Sequence, residues 1–219
     1  MRRCRSMKGH RRRSRVSGTT RIEAFSDSVL AIIVTVLVFE LEVRRIPDPT
    51  SEQLWNELWS IAPKLVSFAV SFFTVAIFWV NHHRFMHRID ETDWPLLWLN
   101  NLLLFWLATV PFTTGFLGDY PREPVAVGVY AFSLGMAALA FTMMGGYALL
   151  KAELVNSSVP IEERRREWRR SVGGTGAYLS AAGLAFVWVY AALAIIVIIP
   201  FAYVVPNLLG RGEGSLPDD

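Results

Sequence analysis

The chain holds a single cysteine, Cys4, in 219 residues. A lone thiol excludes an intramolecular disulfide framework and a cysteine-based zinc site. Charge is scarce as well. Asp, Glu, Lys and Arg make up 19% of the residues against 53% hydrophobic, and the mean hydropathy is +0.33. That balance excludes a disordered chain and is too apolar for an ordinary water-soluble domain. Catalytic signatures are missing too. There is no Walker phosphate loop, no G-x-S-x-G elbow and no dinucleotide fingerprint, so neither an enzyme nor a cofactor is expected.

Long apolar stretches are plentiful, together with 8 Trp and 14 Phe, the rings favoured at membrane interfaces. They run over residues 22–41, 61–80, 96–117, 125–150, 172–186 and 188–208. About 20 helical residues cross a hydrocarbon core. The first four stretches fit that length. The last two share one run from Val172 to Leu209, roughly 57 Å as a helix and near twice the core thickness. It therefore divides into two helices at a turn near Gly183–Trp188. The fold class is an all-α integral membrane protein of six transmembrane helices.

Lys and Arg set the orientation. Nine lie in the first 21 residues, from Arg2 to Arg21. With that end in the cytoplasm, Arg84, Arg88, Lys151, the arginines of 164–170 and Arg211 fall on the same side. Only Arg44, Arg45, Arg122 and Lys64 fall outside. The split is eighteen to four, which puts both termini in the cytoplasm of a plasma (inner) membrane. Three regions follow: a basic arm over 1–20, a membrane domain over 21–209 and a short tail over 210–219. No small-x-small cleavage site follows the first apolar run, so it is not a signal peptide. Beside a membrane helix the arm fixes topology and touches anionic lipid, and nucleic acid is not an expected partner.

Polar residues inside the spans are the informative anomaly. Asp27 sits about 8 Å into the first helix, where a carboxylate needs partners. The second helix ends on the same side at His82 and His83, and the third carries Asn100 and Asn101 at similar depth. Arg21, Ser26 and Asp27 with one of each pair are expected to form an inner polar network. Such a network holds three helices together, or shares in gating or proton sensing, since histidine titrates near neutral pH. His83 and His87 have the i, i+4 spacing of helical metal ligands, but no matching Asp, Glu or Cys cluster is evident in the sequence. A surface face, with no metal, is the expectation. Gly145-Gly146 and Gly173-Gly174 are expected to allow close helix approach.

Helical phase separates Asp27 from an apolar face. At 100° per residue, Val36 and Phe39 fall within about 40° of Ile32, Thr35 about 60° aside and Asp27 about 140° away. Periodicity alone leaves this face as a core stripe, a lipid-facing stripe or a pore lining. Glu40 and Glu42 at its outer end concentrate cations, or are ordinary interfacial charge.

Arg21-x-x-x-Phe25-Ser26-Asp27 resembles the RxxxFSD signature of the transmembrane-protein-175 family, which includes the lysosomal potassium channel of animals and smaller prokaryotic relatives. Trp79-Val80-Asn81-His82-His83-Arg84-Phe85 is similar to the family's second-helix end. Leu97-Trp98-Leu99-Asn100-Asn101-Leu102, followed by Pro111-Phe112-Thr113, is similar to its third helix. The last three helices match by hydropathy only. The resemblance implies a homotetramer whose first helices line a central pore. It implies a hydrophobic constriction at Ile32, Val36 and Phe39, with Thr35 at the selectivity layer. Val36 and Phe39 stand where relatives often carry leucine or isoleucine, and the basic arm is long for the family. The stretch Thr113-Thr114-Gly115-Phe116 is not the carbonyl filter of ordinary potassium channels. The expected function is a passive potassium-selective leak channel with K⁺ as permeant ion. The alternatives are a proton-conducting or pH-gated channel of the same architecture, or a non-transporting membrane scaffold.

Overall fold

The computed structural model describes residues 19–151 and 154–209. Most of the expected basic arm and all of the expected tail, 210–219, lie outside the described residues. Among the described residues eight α-helices form: α1 (Thr19–Val36), α2 (Ser51–Ser60), α3 (Ala62–Met86), α4 (Trp94–Ala108), α5 (Val110–Asp119), α6 (Pro124–Leu150), α7 (Ile161–Leu184) and α8 (Val189–Leu209). Among the described residues no strand forms, only an isolated bridge between Ile89 and Val155. The chain is an all-helical, multi-pass membrane protein. Four described spans are long and apolar enough to cross a bilayer: 19–40, 62–86, 94–119 and 124–150. A shorter apolar helix covers Val189–Phe201.

α6 is the hub. Val127, Tyr130, Ala131, Leu134, Ala137 and Met144 along it are fully buried. They pack in one core with Leu103 and Leu107 of α4, Val110 of α5, Tyr178 and Ala181 of α7, and Ile196 of α8. α1 and the 3₁₀ turn after it join this core along a narrow seam of Leu30, Ile33 and Leu37. Two small residues set the α6–α7 approach. A Cβ on Gly135 would lie 2.6 Å from Leu179 Cδ2, and one on Gly128 would lie 3.0 Å from the Phe186 ring. Of the expected glycine pairs, Gly146 does meet a neighbour, with its Cβ position 3.1 Å from Trp168 Nε1. Gly173 faces open space. The tight spot lies at Gly135 because that is where the α6 and α7 side chains interdigitate.

Several boundaries differ from the hydropathy reading, each for a local reason. The first span ends in a 3₁₀ turn over Leu37–Glu40. The second continues to Met86, because α3 carries its polar residues into the polar interior rather than stopping before them. The third breaks at Thr109, two residues before Pro111, whose missing N–H and ring interrupt the ladder. α7 starts at Ile161 instead of 172. Its charged first half stays helical because Glu162 and Glu163 suit the helix N-terminus and Arg88, in the turn just after α3, ties to it. The α7–α8 turn falls at 185–188, where the sequence places it.

α2 was not evident from hydropathy. It is short, with no buried residue, and hydropathy averages out its Leu54, Trp55, Leu58 and Trp59 stripe. A capping box starts it. Thr50 Oγ1 accepts from the Gln53 N–H at 3.3 Å, and Gln53 Oε1 accepts from the Thr50 N–H at 2.9 Å.

Candidate functional site

The first span, α1 with the 3₁₀ turn after it, presents two seams of the same period. Ser26, Leu30, Ile33 and Leu37 face the protein and are buried. Arg21, Phe25, Ser28, Ile32, Thr35 and Phe39 are all exposed, spaced by alternating fours and threes. Phe25 is 55% exposed, Ile32 61% and Phe39 78%, and Val36 is half-buried at the edge of this face. Such a seam is the spacing with which helices pair side by side. The Thr35 hydroxyl donates to the Ile32 carbonyl at 2.8 Å. Its proton is thus engaged, and its oxygen keeps acceptor capacity on the open face.

At the inner end a buried cluster fastens α1 to α3 and α4. The Asn100 amide donates to Ser26 Oγ at 3.0 Å. His82 Nε2 lies 2.8 Å from Asn100 Oδ1, and since that oxygen only accepts, the imidazole carries its proton on Nε2. Ser26 and His82 are fully buried and Asn100 nearly so. Beside them the Trp79 indole N–H donates to Asp27 Oδ1 at 3.0 Å. His83 points elsewhere, with its Nδ1 3.0 Å from Glu23 Oε1. Asn101 and Arg21 are exposed and lie outside the cluster. Of each candidate pair, the structure thus brings in His82 and Asn100.

Two residues escaped the sequence reading. Trp79 is the donor to Asp27, although an indole next to two histidines carries no obvious polar signal. Glu23 sits one turn before Asp27, and that i, i+4 spacing was the available clue. It meets His83 and, at 3.7 Å, His87, whose Nε2 lies 3.1 Å from His83 Nε2. These three side chains are the described His, Cys, Asp and Glu group with ligand atoms close enough for a metal, within 4.8 Å. A carboxylate shared between two imidazoles accounts for the same contacts without one.

At the outer end Glu40 turns toward α5. Its Oε2 lies so close to Gly115 that a Cβ there would be 1.8 Å away. The Lys64–Asp119 ion pair, at 2.7 Å, lies on the neighbouring turn. Glu42 is exposed. The threonines before Gly115 serve packing: Thr114 donates to Ser71 Oγ at 2.7 Å, which lies 2.8 Å from the Tyr130 hydroxyl. The single chain therefore pairs Ser26, Asn100, Asp27 and Thr114 between helices and leaves one helical face of its first span open.

Comparison with known proteins agrees with this architecture. Residues 21–111 match the family described as endosomal/lysosomal potassium channel TMEM175. A protein named as a potassium channel from Chryseobacterium sp. (strain P1-3) is 32% identical over 203 residues, covering 91% of this chain and 98% of the relative. Another from Chamaesiphon minutus is 34% identical over 191 residues, covering 85% and 94%. The crystal structure of a lysosomal potassium-selective channel TMEM175 homolog from Chamaesiphon minutus superposes with a TM-score of 0.76 at 31% identity, over 85% of this chain and 96% of that one. A human protein named as an endosomal/lysosomal proton channel TMEM175 is 29% identical over 110 residues, 48% of this chain and 22% of its own length.

Proposed function

Because the chain belongs to the TMEM175 family of ion channels, we propose that it is a passive potassium-selective channel of the plasma membrane. In this reading it is a homotetramer whose four α1 helices line the pore, with six crossings per chain and both termini in the cytoplasm. The observation that carries it is the open seam of α1. A helix tied to its own core by Ser26, Leu30, Ile33 and Leu37 leaves Ile32 and Phe39 uncovered, in the period that packs against copies of itself. The names of the bacterial relatives supply the ion.

Four Ile32 side chains at one level form a constriction that excludes water, a dewetting gate, with Val36 and Phe39 above it. Four Thr35 oxygens replace part of the hydration shell of a passing K⁺. Opening then requires α1 to rotate or splay, pivoting on the Ser26–Asn100–His82 anchor. Glu42 supplies negative charge at the outer mouth, and Glu40 acts there through its place against α5. No cofactor and no catalytic chemistry belong to this mechanism.

The test is cation flux from liposomes holding purified protein, with potassium and sodium gradients compared. Potassium flux above sodium, lost in Ile32→Trp, is the expected result. Equal flux of both ions removes selectivity, and no flux in a folded tetramer under any trigger favours the scaffold. A second reading, proton conduction through the same pore, rests on the human relative's name. A pH-jump assay without potassium separates the two.

A further inference from the structure

A cavity of about 270 Å³ lies between α3, α6, α7 and α8, away from the open seam of α1. Its lining changes character along its length. One end is charged, with Arg84 of α3, Arg88 in the turn after it, and Arg164, Glu167 and Arg170 of α7. The other end is apolar, with Phe78, Phe141, Tyr178 and Ile199 among its walls. The two helices run in opposite directions, and the Arg88–Glu163 ion pair at 2.8 Å brings their charged ends to one level. The lining runs from Arg88, just past α3, back to Thr74, and along α7 from Arg164 on to Tyr178, the latter roughly 21 Å of helix. The cavity thus passes from the basic membrane boundary into the depth of the hydrocarbon.

The charges at the wet end are unequally partnered. Arg88 is taken up by two carboxylates, Glu163 and Glu167. Arg164 is not. Its Nε and Nη1 are inaccessible to solvent and have no hydrogen-bond partner among the described residues. Buried N–H groups without an acceptor are costly, and a ligand oxygen is what would satisfy these two. Trp168 forms a flat wall beside it, held by its N–H to the Thr142 carbonyl at 3.2 Å and seated over Gly145 and Gly146.

We propose that this cavity binds an anionic membrane lipid, its phosphate accepting from Arg164 and one acyl chain entering between α3 and α6–α8. The shape and charge order match that chemistry. A planar fork of N–H donors suits a phosphate oxyanion, and basic pockets between membrane helices at the cytoplasmic side suit anionic headgroups. A free anion would use the wet end and leave the apolar end empty. The inference needs the membrane reading but not ion conduction.

The test uses the full chain in neutral detergent with three probes: dioctanoyl phosphatidylglycerol, dioctanoyl phosphatidylcholine and inorganic phosphate. Binding is read by native mass spectrometry and by the shift of the thermal unfolding midpoint, each variant against its own unliganded state. Phosphatidylglycerol is expected to bind at least tenfold more tightly than phosphatidylcholine, at one lipid per chain. Arg164→Gln should remove most of that preference while phosphatidylcholine binding stays the same, and Arg164→Lys should retain part of it. Equal binding of the two lipids, or preference unchanged in Arg164→Gln, overturns the proposal. Protection by inorganic phosphate equal to that by phosphatidylglycerol overturns the lipid assignment in favour of a simple anion site.

Discussion

Nε2 of His82 lies 2.8 Å from Oδ1 of Asn100, and both side chains are buried where α3 and α4 meet α1. Asn100 also donates to Ser26, so one amide closes a three-helix junction. Replacing it with leucine leaves the His82 N–H and the Ser26 hydroxyl without partners. Asn100→Leu should therefore cost about 1–3 kcal/mol, seen as a lower unfolding midpoint in detergent. Asn101→Leu, on the exposed side, should stay within about 0.5 kcal/mol. Equal effects of the two would remove the junction from its anchoring role.

Adjacent isoleucines on α1 should behave differently. Ile32 is 61% exposed and Ile33 only 4%. With Ile32 at the constriction, Ile32→Asn wets the gate and raises potassium leak about tenfold, equivalent to ~1.4 kcal/mol off the barrier. Ile33→Asn instead buries an unpaired amide and lowers stability by about 1–3 kcal/mol. Flux and melting measured on both variants check the assignment. Leak unchanged in Ile32→Asn removes Ile32 from the gate.

Thr35 offers its oxygen outward while its proton is held by the Ile32 carbonyl. Thr35→Ala should reduce the potassium-over-sodium flux ratio severalfold with no loss of folded protein. Thr35→Ser, which keeps the oxygen, should retain most of the ratio. Selectivity that survives the alanine variant would place the ion-discriminating layer elsewhere.

Gly135 and Gly173 make opposite predictions for the same kind of change. Side chain added at Gly135 collides with Leu179 on α7, whereas at Gly173 it meets open space. Gly135→Leu should destabilise by about 1–3 kcal/mol through overpacking. Gly173→Ala should be neutral or stabilising by about 0.5–1 kcal/mol, since alanine favours the helix. Thermal unfolding of the two proteins decides.

Much of the architecture was legible in the sequence because lipid imposes a length rule. Spans of about 20 apolar residues can only be helices, so the first four spans and the α7–α8 turn followed from hydropathy. The elements hydropathy missed are those where apolarity is not the cause. α2 forms through the Thr50–Gln53 capping box, and the start of α7 is set by Glu162, Glu163 and the pairing with Arg88. The break at Thr109 had its signal in Pro111.

The inner cluster divides in the same way. The sequence by itself determined which residue types must seek partners, because Ser26, Asp27, the two histidines and the two asparagines are polar groups at one depth in an apolar span. It also determined the face of α1 that carries Ile32, Thr35 and Val36, because helical phase is a property of the chain alone, while Phe39 follows in the 3₁₀ turn. Only the tertiary structure decided between neighbours. His82 and Asn100 turn inward, His83 turns to Glu23, and Asp27 takes its hydrogen bond from Trp79. That choice depends on how α1, α3 and α4 rotate about their axes. A rotation of 100° exchanges one residue for the next, and it is fixed by how these helices pack against one another and against the rest of the core, which no local pattern encodes.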